Sequence, residues 1–440
     1  MGMGRGRSQT NTVESVASAK SLIFVSMRIL HLLHQYLPEK VGGTELYTRS
    51  LAQQQVAQGH SVAIFAPAGQ GNTGPEPSLE EGVRVYRVGV GARSPTAVFA
   101  STFRHPQLHH AFARVLQQEQ PDLVHIQHLM GLPTSLMAQI PVPYVVTLHD
   151  FWWVCANAQL LTNDTQEICD GPQRFINCAC CALARAGLPP ILPAALPAAL
   201  PLAVRNRRLH PVLAAAGRLI APSAFVGRWY TAHGVPAEKL VVVPHGLDYP
   251  AGEVGKQPAL SLSKRPFLIG YIGGISPQKG VHLLLQAYQQ LTNSELWVAG
   301  DTSFDPAYTA QLQQLATPTV RFRGRLDRAA IWEMLQQLDV LVVPSIWYET
   351  FCLVISEAFA AGVPVVAFNL GAMAERIRHG QDGLLPPPGN TQALAQTLRT
   401  LQQNPAQLAQ LRAGIQPVPT MTDHAMQITA NYESILSNRD

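Results

Sequence analysis

VLVVPSIWYETFCLVISEAFAAGVP, residues 340–364, sets a short aliphatic run, a polar turn and an apolar helix-length stretch in direct succession. Val340 to Val343 reads as a buried strand, and the following stretch as a helix that ends before Gly362. A carboxylate stands on either side of the helix start. Glu349 falls just ahead of it, where the helix dipole favours negative charge. Glu357 falls about two turns inside, among Val354, Ile355, Ala358 and Phe359. Burying a carboxylate there costs several kcal/mol unless something pairs with it, and a pair of ligand hydroxyls is a suitable partner. The two glutamates do not suit a glycoside hydrolase. Eight helical residues span roughly 12 Å, whereas hydrolase carboxylates flank one bond at about 5 to 9.5 Å.

Outward from this stretch the same unit repeats. Phe267 to Ile272, Leu296 to Ala299, Val320 to Phe322 and Val365 to Phe368 read as further strands, and Val281, Leu284, Leu285 and Tyr288 form the apolar stripe of an amphipathic helix. An earlier series comprises Ile29 to Leu33, Val62 to Ala66, Val83 to Val88, Leu123 to Ile126, Tyr144 to Leu148, Arg218 to Ala221 and Leu240 to Val243. Strands alternating with helices indicate parallel sheets. The expected fold class is therefore α/β, with two doubly wound Rossmann-like domains facing each other across a cleft.

The expected organisation is a disordered extension over 1–26, an N-terminal domain over 27–248, a linker over 249–264 rich in Gly, Pro, Ser and charge, a C-terminal domain over 265–419, and a packed terminal helix over 420–440. Within the first domain, 151–204 reads as a cysteine-rich insertion. Its segment Gly187 to Val204 is Pro, Ala and Leu without helical or strand period. It reads as a connector covering a core edge, or more sharply as an interfacial anchor on an anionic membrane, since Arg205, Arg207 and Arg208 follow.

Hydrophobic residues make up 47% of the 440 and charged residues 14%, which excludes disorder for most of the chain. The formal charge of +4 is dispersed, with no Lys/Arg block of the kind that binds nucleic acid. The apolar run Leu22 to Val25 is too short for a signal core or a membrane span. The expected location is therefore cytoplasmic, with peripheral association at the inner membrane face as the alternative. In that setting the six cysteines read as reduced thiols or metal ligands rather than disulfides. Cys155, Cys169, Cys178 and Cys181 offer four thiolates ending in C-x-x-C, the complement of a structural zinc site. The longer gaps match no standard finger, and scattered thiols are the alternative.

A second site element is Gly270-Tyr-Ile-Gly273-Gly274-Ile-Ser-Pro-Gln-Lys279-Gly280, between a strand and the amphipathic helix. Glycines admit close backbone approach, a helix start presents free N–H groups and Lys279 adds a point charge, which together suit a diphosphate. An ordinary strand-to-helix loop reads the same way. Gly42-Gly43-Thr44-Glu45, before another helix, is the N-terminal counterpart.

Together with Gly59-His60, Thr147-Leu-His149-Asp150, Val298-Ala-Gly300, the Glu349 to Glu357 spacing and Ala361-Gly362-Val-Pro364, these motifs resemble the retaining glycosyltransferases of family 4, which have the GT-B fold. The resemblance runs from Met27 to the terminal helix. It implies transfer of a sugar from a nucleotide-sugar donor to an acceptor hydroxyl of a glycan, lipid-linked saccharide or small molecule, with retained configuration and no catalytic metal. It also implies roles: Glu357 binds the ribose, Glu349 lies near the transferred sugar, Lys279 neutralises the diphosphate with the amides of Thr350, Phe351, Cys352 and Leu353, and His149 faces the sugar. Two departures stand out. Gly274 occupies a position where the family often has arginine, and Cys352 one where glycine is frequent. The missing arginine keeps a second reading open, a non-catalytic nucleotide-sugar-binding or assembly protein of the same fold.

Overall fold

The computed structural model describes residues 26–39, 41–69, 76–248 and 265–437. The expected linker and nearly all of the expected extension lie outside the described residues. The N-terminal half forms an eight-stranded sheet from β1 (Arg28–Leu32), β2 (Ser61–Ala68), β3 (Ser78–Glu80), β4 (Val83–Gly89), β5 (Leu123–Ile126), β6 (Tyr144–Thr147), β7 (Arg218–Ala221) and β8 (Leu240–Val242), in the order β3-β4-β2-β1-β5-β6-β7-β8. The C-terminal half forms a six-stranded sheet from β9 (Phe267–Ile272), β10 (Ser294–Ala299), β11 (Val320–Gly324), β12 (Val340–Val343), β13 (Val365–Ala367) and β14 (Gly383–Leu384), in the order β11-β10-β9-β12-β13-β14. Every pairing is parallel except that of β3 with β4. Helices cover both faces of each sheet, so β5, β6, β12 and β13 are buried along their whole length and read as unbroken apolar runs.

Each sheet reverses its strand order beside its first strand. β1 lies between β2 and β5, and β9 lies between β10 and β12. Ligands of open α/β sheets bind outside the carboxyl ends of the strands at such a point. The loops leaving β9 and β12 are Gly273 to Gly280 and Pro344 to Cys352, so the fold gathers both C-terminal site elements at one crevice.

The helices that shape this crevice and its flank are α1 (Gly43–Ala57), α2 (Ile176–Arg185), α3 (Leu192–Ala215), α4 (Ala224–Ala232), α5 (Val281–Tyr288), α6 (Leu353–Ala360) and α7 (Met421–Ser437). Val281, Leu284, Leu285 and Tyr288 of α5 are all buried. The last helix leaves the C-terminal domain and docks on the N-terminal one: Met421, Ala425, Ile428 and Tyr432 pack with Ile29, Leu51, Leu123 and Val145. The crossing is fixed where Leu247 donates to the Pro419 carbonyl and Met421 donates to that of Leu247.

The segment Gly187 to Val204 departs from expectation, because from Leu192 onward it belongs to the long helix α3. Its buried residues Ala195, Ala199, Leu202, Arg205, Leu209 and Val212 do keep a helical period. Prolines 193, 197 and 201 recur every four residues on the exposed face. Each inner proline therefore removes a hydrogen bond from a carbonyl on that same face, where water replaces it, so the usual cost of helical proline is reduced.

Between α7 and the first sheet lies a stack of buried imidazoles. His31 Nε2 donates to Gln55 Oε1 (2.8 Å), and Gln127 Nε2 donates to His31 Nδ1 (3.0 Å). His424 Nδ1 donates to the Pro244 carbonyl and its Nε2 accepts from the Tyr47 hydroxyl, each at 2.8 Å. Each ring is thus satisfied as the neutral form. Burial lowers the pKa of His31 and His424 to about 4 and that of His149 to about 3. The unfolded chain takes up these protons near the ordinary value of about 6.5, and the folded chain does not. Their contribution is complete above that value and is lost as pH falls through the window down to 4 or 3. At pH 5 the loss approaches roughly 2 kcal/mol per histidine. Melting temperature is expected to be flat between pH 7 and 8 and to drop steeply from 6.5 to 5. A flat profile down to pH 5 would show that these rings are not held neutral.

Candidate functional site

The turn Pro277–Lys279 is 3₁₀, and Gly280 closes it with φ of 70°. A Cβ on Gly280 would stand 1.9 Å from the Pro344 carbonyl oxygen, so glycine alone lets this turn rest on the end of β12. Ile346 N–H donates to the Gln278 carbonyl at 2.9 Å and ties the two loops together. That contact brings Lys279 Nζ to 2.7 Å from Glu349 Oε1. The same oxygen accepts from Ser345 Oγ at 2.8 Å and from Trp347 Nε1 at 2.9 Å. Glu349 is only 7% exposed. Burial alone would raise its pKa, but the Lys279 charge and the three donors outweigh burial and hold it below the usual carboxylate range. Burial likewise pulls Lys279 down, and Glu349 more than restores it. The sequence placed the lysine and the glutamate in separate roles. The structure joins them as one ion pair, with the ammonium also 4.9 Å from the Trp347 ring centre.

Helix α6 starts from Cys352, whose φ of 64° is left-handed. Glycine suits such a position at no steric cost, which accounts physically for its frequency there in the family. Desolvation pushes the partly exposed Cys352 thiol up to about 12, which favours its neutral form. Below the loop, Arg376 donates to the carbonyls of Phe351 (2.6 Å) and Cys352 (2.8 Å) and to Ser356 Oγ (2.6 Å), with its guanidinium 3.7 Å over the Phe351 ring. In a trans peptide the N–H points opposite to the C=O. Arg376 therefore turns the amides of Cys352 and Leu353 away from itself, at a helix N-terminus where the dipole already favours an anion. No protein acceptor meets the N–H groups of Thr350, Phe351 and Cys352 among the described residues. Sequence reading missed Arg376, since no spacing or glycine pattern marks it.

Glu357 sits five residues past the Cys352 cap, little more than one turn into α6 rather than the expected two. No hydrogen bond reaches its carboxylate among the described residues. Burial raises its pKa, and the Arg328 charge offsets only part of this.

The N-terminal domain closes the other side. Gly42 caps α1 with extended backbone, and a Cβ there would stand 2.6 Å from Glu45 Oε2. Glu45 is buried and accepts from Gln35 Nε2 at 2.8 Å. A Cβ on Gly43 would lie 3.9 Å from Leu353 Cδ1, so the first glycine pair faces the start of α6 directly. Thr350 Oγ1 donates to the His149 carbonyl (2.7 Å), and Ser223 Oγ donates to the Thr350 carbonyl (2.8 Å). Glu375 accepts from the amides of Ala224 and Phe225 at the start of α4. His149 Nε2 donates to Gln127 Oε1 at 2.7 Å, which leaves Nδ1 as the bare acceptor of a neutral ring. Its Nδ1 meets no protein partner among the described residues. Thr350 and Leu353 therefore meet His149 and Gly43 across the two domains, and the Lys279–Glu349 pair stands on the loops that lead to them.

Gly274 lies on the same loop as Lys279, and nothing stands within 4 Å of the Cβ it would carry. Its backbone is not left-handed. A side chain there meets open space, so Gly274→Arg is expected to fold normally. If a diphosphate lies in this crevice, the added charge should tighten nucleotide-sugar binding about tenfold, the scale of one charge-assisted hydrogen bond. Unchanged affinity in a titration of the folded variant would place the diphosphate elsewhere. The cysteines expected to bind metal lie outside the crevice, in the insertion after β6.

Comparison with known proteins points the same way. Residues 41–249 match the family model described as Glycosyltransferase Family 4, and residues 266–404 match that of Glycosyl transferases group 1. The glycogen synthase of Mycobacterium tuberculosis is 26% identical over 417 residues, covering 88% of each chain. Among solved structures, sucrose-phosphate synthase from Thermosynechococcus elongatus superposes with a TM-score of 0.70 at 20% identity, covering 93% of this chain and 99% of that one. Anabaena HepE in complex with UDP and glucose superposes at 0.62 with 22% identity, covering 93% and 100%. The likeness to the two structures establishes the GT-B fold.

Proposed function

The chain belongs to glycosyltransferase family 4, and from that premise we propose that its crevice transfers a sugar from a nucleoside diphosphate to an acceptor hydroxyl with retention of configuration. The observation that carries this reading is the convergence of Lys279, the amides of Cys352 and Leu353, and the unpaired Glu357 at the switch point of the second sheet. Lys279 and the amides receive the diphosphate, and Glu357 accepts from the ribose hydroxyls. His149 Nδ1 accepts from a hydroxyl of the sugar. Glu349 holds the lysine in place beside the reacting centre. The acceptor oxygen bonds to the anomeric carbon on the face from which the nucleotide departs. The bond from that carbon to the phosphate oxygen breaks, and the acceptor's proton passes to the departing phosphate. The barrier falls because preorganised donors meet charge as it develops on the leaving group.

HepE was solved with UDP and glucose, and for this chain a uridine or related nucleotide is the donor class to test first. Transfer followed by NMR of the product should show the donor's own anomeric configuration. An inverted product contradicts retention. Donor binding without nucleotide release in the presence of acceptors would instead identify the non-catalytic reading.

The acceptor is lipid-linked in this proposal, because α3 presents an apolar stripe to solvent. Leu192, Leu196, Leu200 and Val204 of the helix are exposed, as are Leu188 and Ile191 just ahead of it, and the exposed Arg207 and Arg208 follow in the next turn. Apolar contact flanked by cations suits an anionic bilayer surface. Among the described residues no helix is long and apolar enough to cross a membrane. The chain should sediment with vesicles containing phosphatidylglycerol and not with neutral vesicles. Leu196→Glu with Leu200→Glu should abolish this and leave soluble-acceptor transfer intact. Equal sedimentation of wild type and variant, or none by wild type, removes the membrane from the proposal.

A further inference from the structure

His149 stands at one end of a line of buried polar side chains, and the other end is a backbone carbonyl on which the terminal helix rests. His424 of α7 has Nδ1 at 2.8 Å from the Pro244 carbonyl oxygen. A carbonyl only accepts, so Nδ1 carries the hydrogen and, in the neutral ring, Nε2 is bare. The Tyr47 hydroxyl, 2.8 Å from that Nε2, must donate to it. Tyr47 shares a second hydrogen bond with Thr147, the last residue of β6. Its one hydrogen is already spent on His424, so here Tyr47 accepts and Thr147 donates.

Thr147 then has no hydrogen left for His125, whose Nε2 lies 2.7 Å from its Oγ1. His125 therefore donates through Nε2 and keeps Nδ1 bare. Gln127 Nε2 lies 3.1 Å from that Nδ1 and 3.0 Å from His31 Nδ1, so the amide nitrogen of Gln127 sits between two acceptors. Its oxygen is thereby turned to His149, 2.7 Å from Nε2. A side branch runs in the same sense. His31 Nε2 donates to Gln55 Oε1 (2.8 Å), Gln55 Nε2 to the Tyr432 hydroxyl (3.2 Å), and that hydroxyl back to His125 Nδ1 (2.5 Å).

His31, Tyr47, Gln55, His125, Gln127, Thr147, His424 and Tyr432 are all buried, so the protein alone completes their hydrogen bonds. Without the fixed point, the part of the network from His125 to His149 could carry every bond in the opposite sense. Both amides would turn over, His31 and His125 would exchange tautomer, and Gln127 would offer His149 an N–H in place of its oxygen. His149 Nε2 would then be bare and Nδ1 would carry the hydrogen. The Pro244 carbonyl, acting through His424, Tyr47 and Thr147, selects between the two senses.

We propose that Gln127 is a positioning residue for His149, and that the docked terminal helix sets its direction: His424, Tyr47, Thr147 and His125 hold the Gln127 oxygen toward His149, so that this ring meets the donor sugar as an acceptor. The proposal rests on the reading of His149 as a sugar-binding group. A sugar hydroxyl that gives its hydrogen to Nδ1 keeps its oxygen for a further donor, whereas against an N–H it must turn round and leave its hydrogen without that acceptor. Thr147→Val cuts the line at its narrowest link, because a methyl group neither gives nor takes a hydrogen bond. An orphaned buried N–H is rarely tolerated. His125 should therefore set its bare nitrogen against the methyl and turn the rest of the line over.

The test uses the full chain labelled at histidine nitrogen. Long-range proton–nitrogen NMR reads which ring nitrogen of His149 carries hydrogen, its signals being assigned by their loss in His149→Asn. Wild type and Thr147→Ser should carry it on Nε2, and Thr147→Val on Nδ1. Tyr432→Phe interrupts the branch but not the line, so it should melt lower and keep the wild-type tautomer. UDP-, GDP- and ADP-glucose are then titrated beside the matching nucleoside diphosphates. The sugar nucleotide that binds wild type should bind Thr147→Val about tenfold more weakly, the scale of one hydrogen bond, while its diphosphate binds both proteins equally. General damage to the fold would weaken both ligands alike and would count against the proposal. Hydrogen on Nδ1 in wild type, or on Nε2 in folded Thr147→Val, overturns the line whatever the donor. A switched tautomer with unchanged sugar-nucleotide affinity, or a wild type that binds none of the three, overturns the reading of His149 on which the positioning role rests.

Discussion

Lys279→Ala is expected to lower transfer about 10²- to 10³-fold, the range seen when one preorganised donor to a developing anion is removed. The family often meets the diphosphate with an arginine as well, and Gly274 leaves that charge out, so the load on Lys279 is larger. The ion pair adds a consequence that sequence alone did not reveal. Removing the ammonium leaves Glu349 buried with only Ser345 and Trp347 donating to it. Breaking a buried pair in this way costs about 3 kcal/mol, the lower end of the usual range, since the lysine side chain keeps 27% of its surface. Stability and turnover should therefore fall together in the single variant. Lys279→Met combined with Glu349→Gln removes both charges and should recover most of the stability while transfer stays low. Denaturant unfolding and kcat measured on both variants separate the two effects. Near-full transfer by Lys279→Ala would move the diphosphate out of this crevice.

Glu357→Gln should move affinity and stability in opposite directions. The carboxylate accepts no protein hydrogen bond, and burial raises its pKa. A carboxyl whose folded pKa is raised favours the protonated form, so its charge destabilises the fold at pH values above the unfolded pKa of about 4.3 and ceases to do so in acid. The variant should melt higher than wild type at pH 7.5 and equally at pH 4. Bound ribose hydroxyls donate to this carboxylate, and hydrogen bonds to a charged group are worth about 1.5 to 3 kcal/mol. Nucleotide affinity should fall about 10- to 100-fold, read by calorimetric titration. A lower melting temperature with unchanged affinity would make Glu357 a structural residue.

The parallel-sheet architecture was legible because buried parallel strands are unbroken aliphatic runs and α5 keeps a clean apolar stripe. β3 and β14 were not, since three residues in one and two in the other carry no period. Helix α3 was hidden by its prolines, whose compatibility depends on which face is exposed, a tertiary property. Lys279, Glu349 and Glu357 could be picked out by residue type and position. Their partnership could not, because the lysine and Glu349 stand 70 residues apart and meet only once the Gly280 contact on Pro344 and the Ile346–Gln278 hydrogen bond join their loops. Arg376 was invisible for the same reason: its role is to take two carbonyls 24 and 25 residues away. Cys352 stood out only as a departure from a frequent glycine, and the left-handed backbone that favours glycine there is visible only in the fold.

The most direct measurement is calorimetric titration of UDP-, GDP- and ADP-sugars into the wild type, Lys279→Ala and Glu357→Gln, with nucleotide release followed in the same samples after acceptor is added. One donor class should bind the wild type and be turned over. That donor should bind Glu357→Gln about 10- to 100-fold more weakly and be turned over about 10²- to 10³-fold more slowly by Lys279→Ala. A donor that binds and reacts equally well with all three proteins contradicts a donor site built on Lys279 and Glu357.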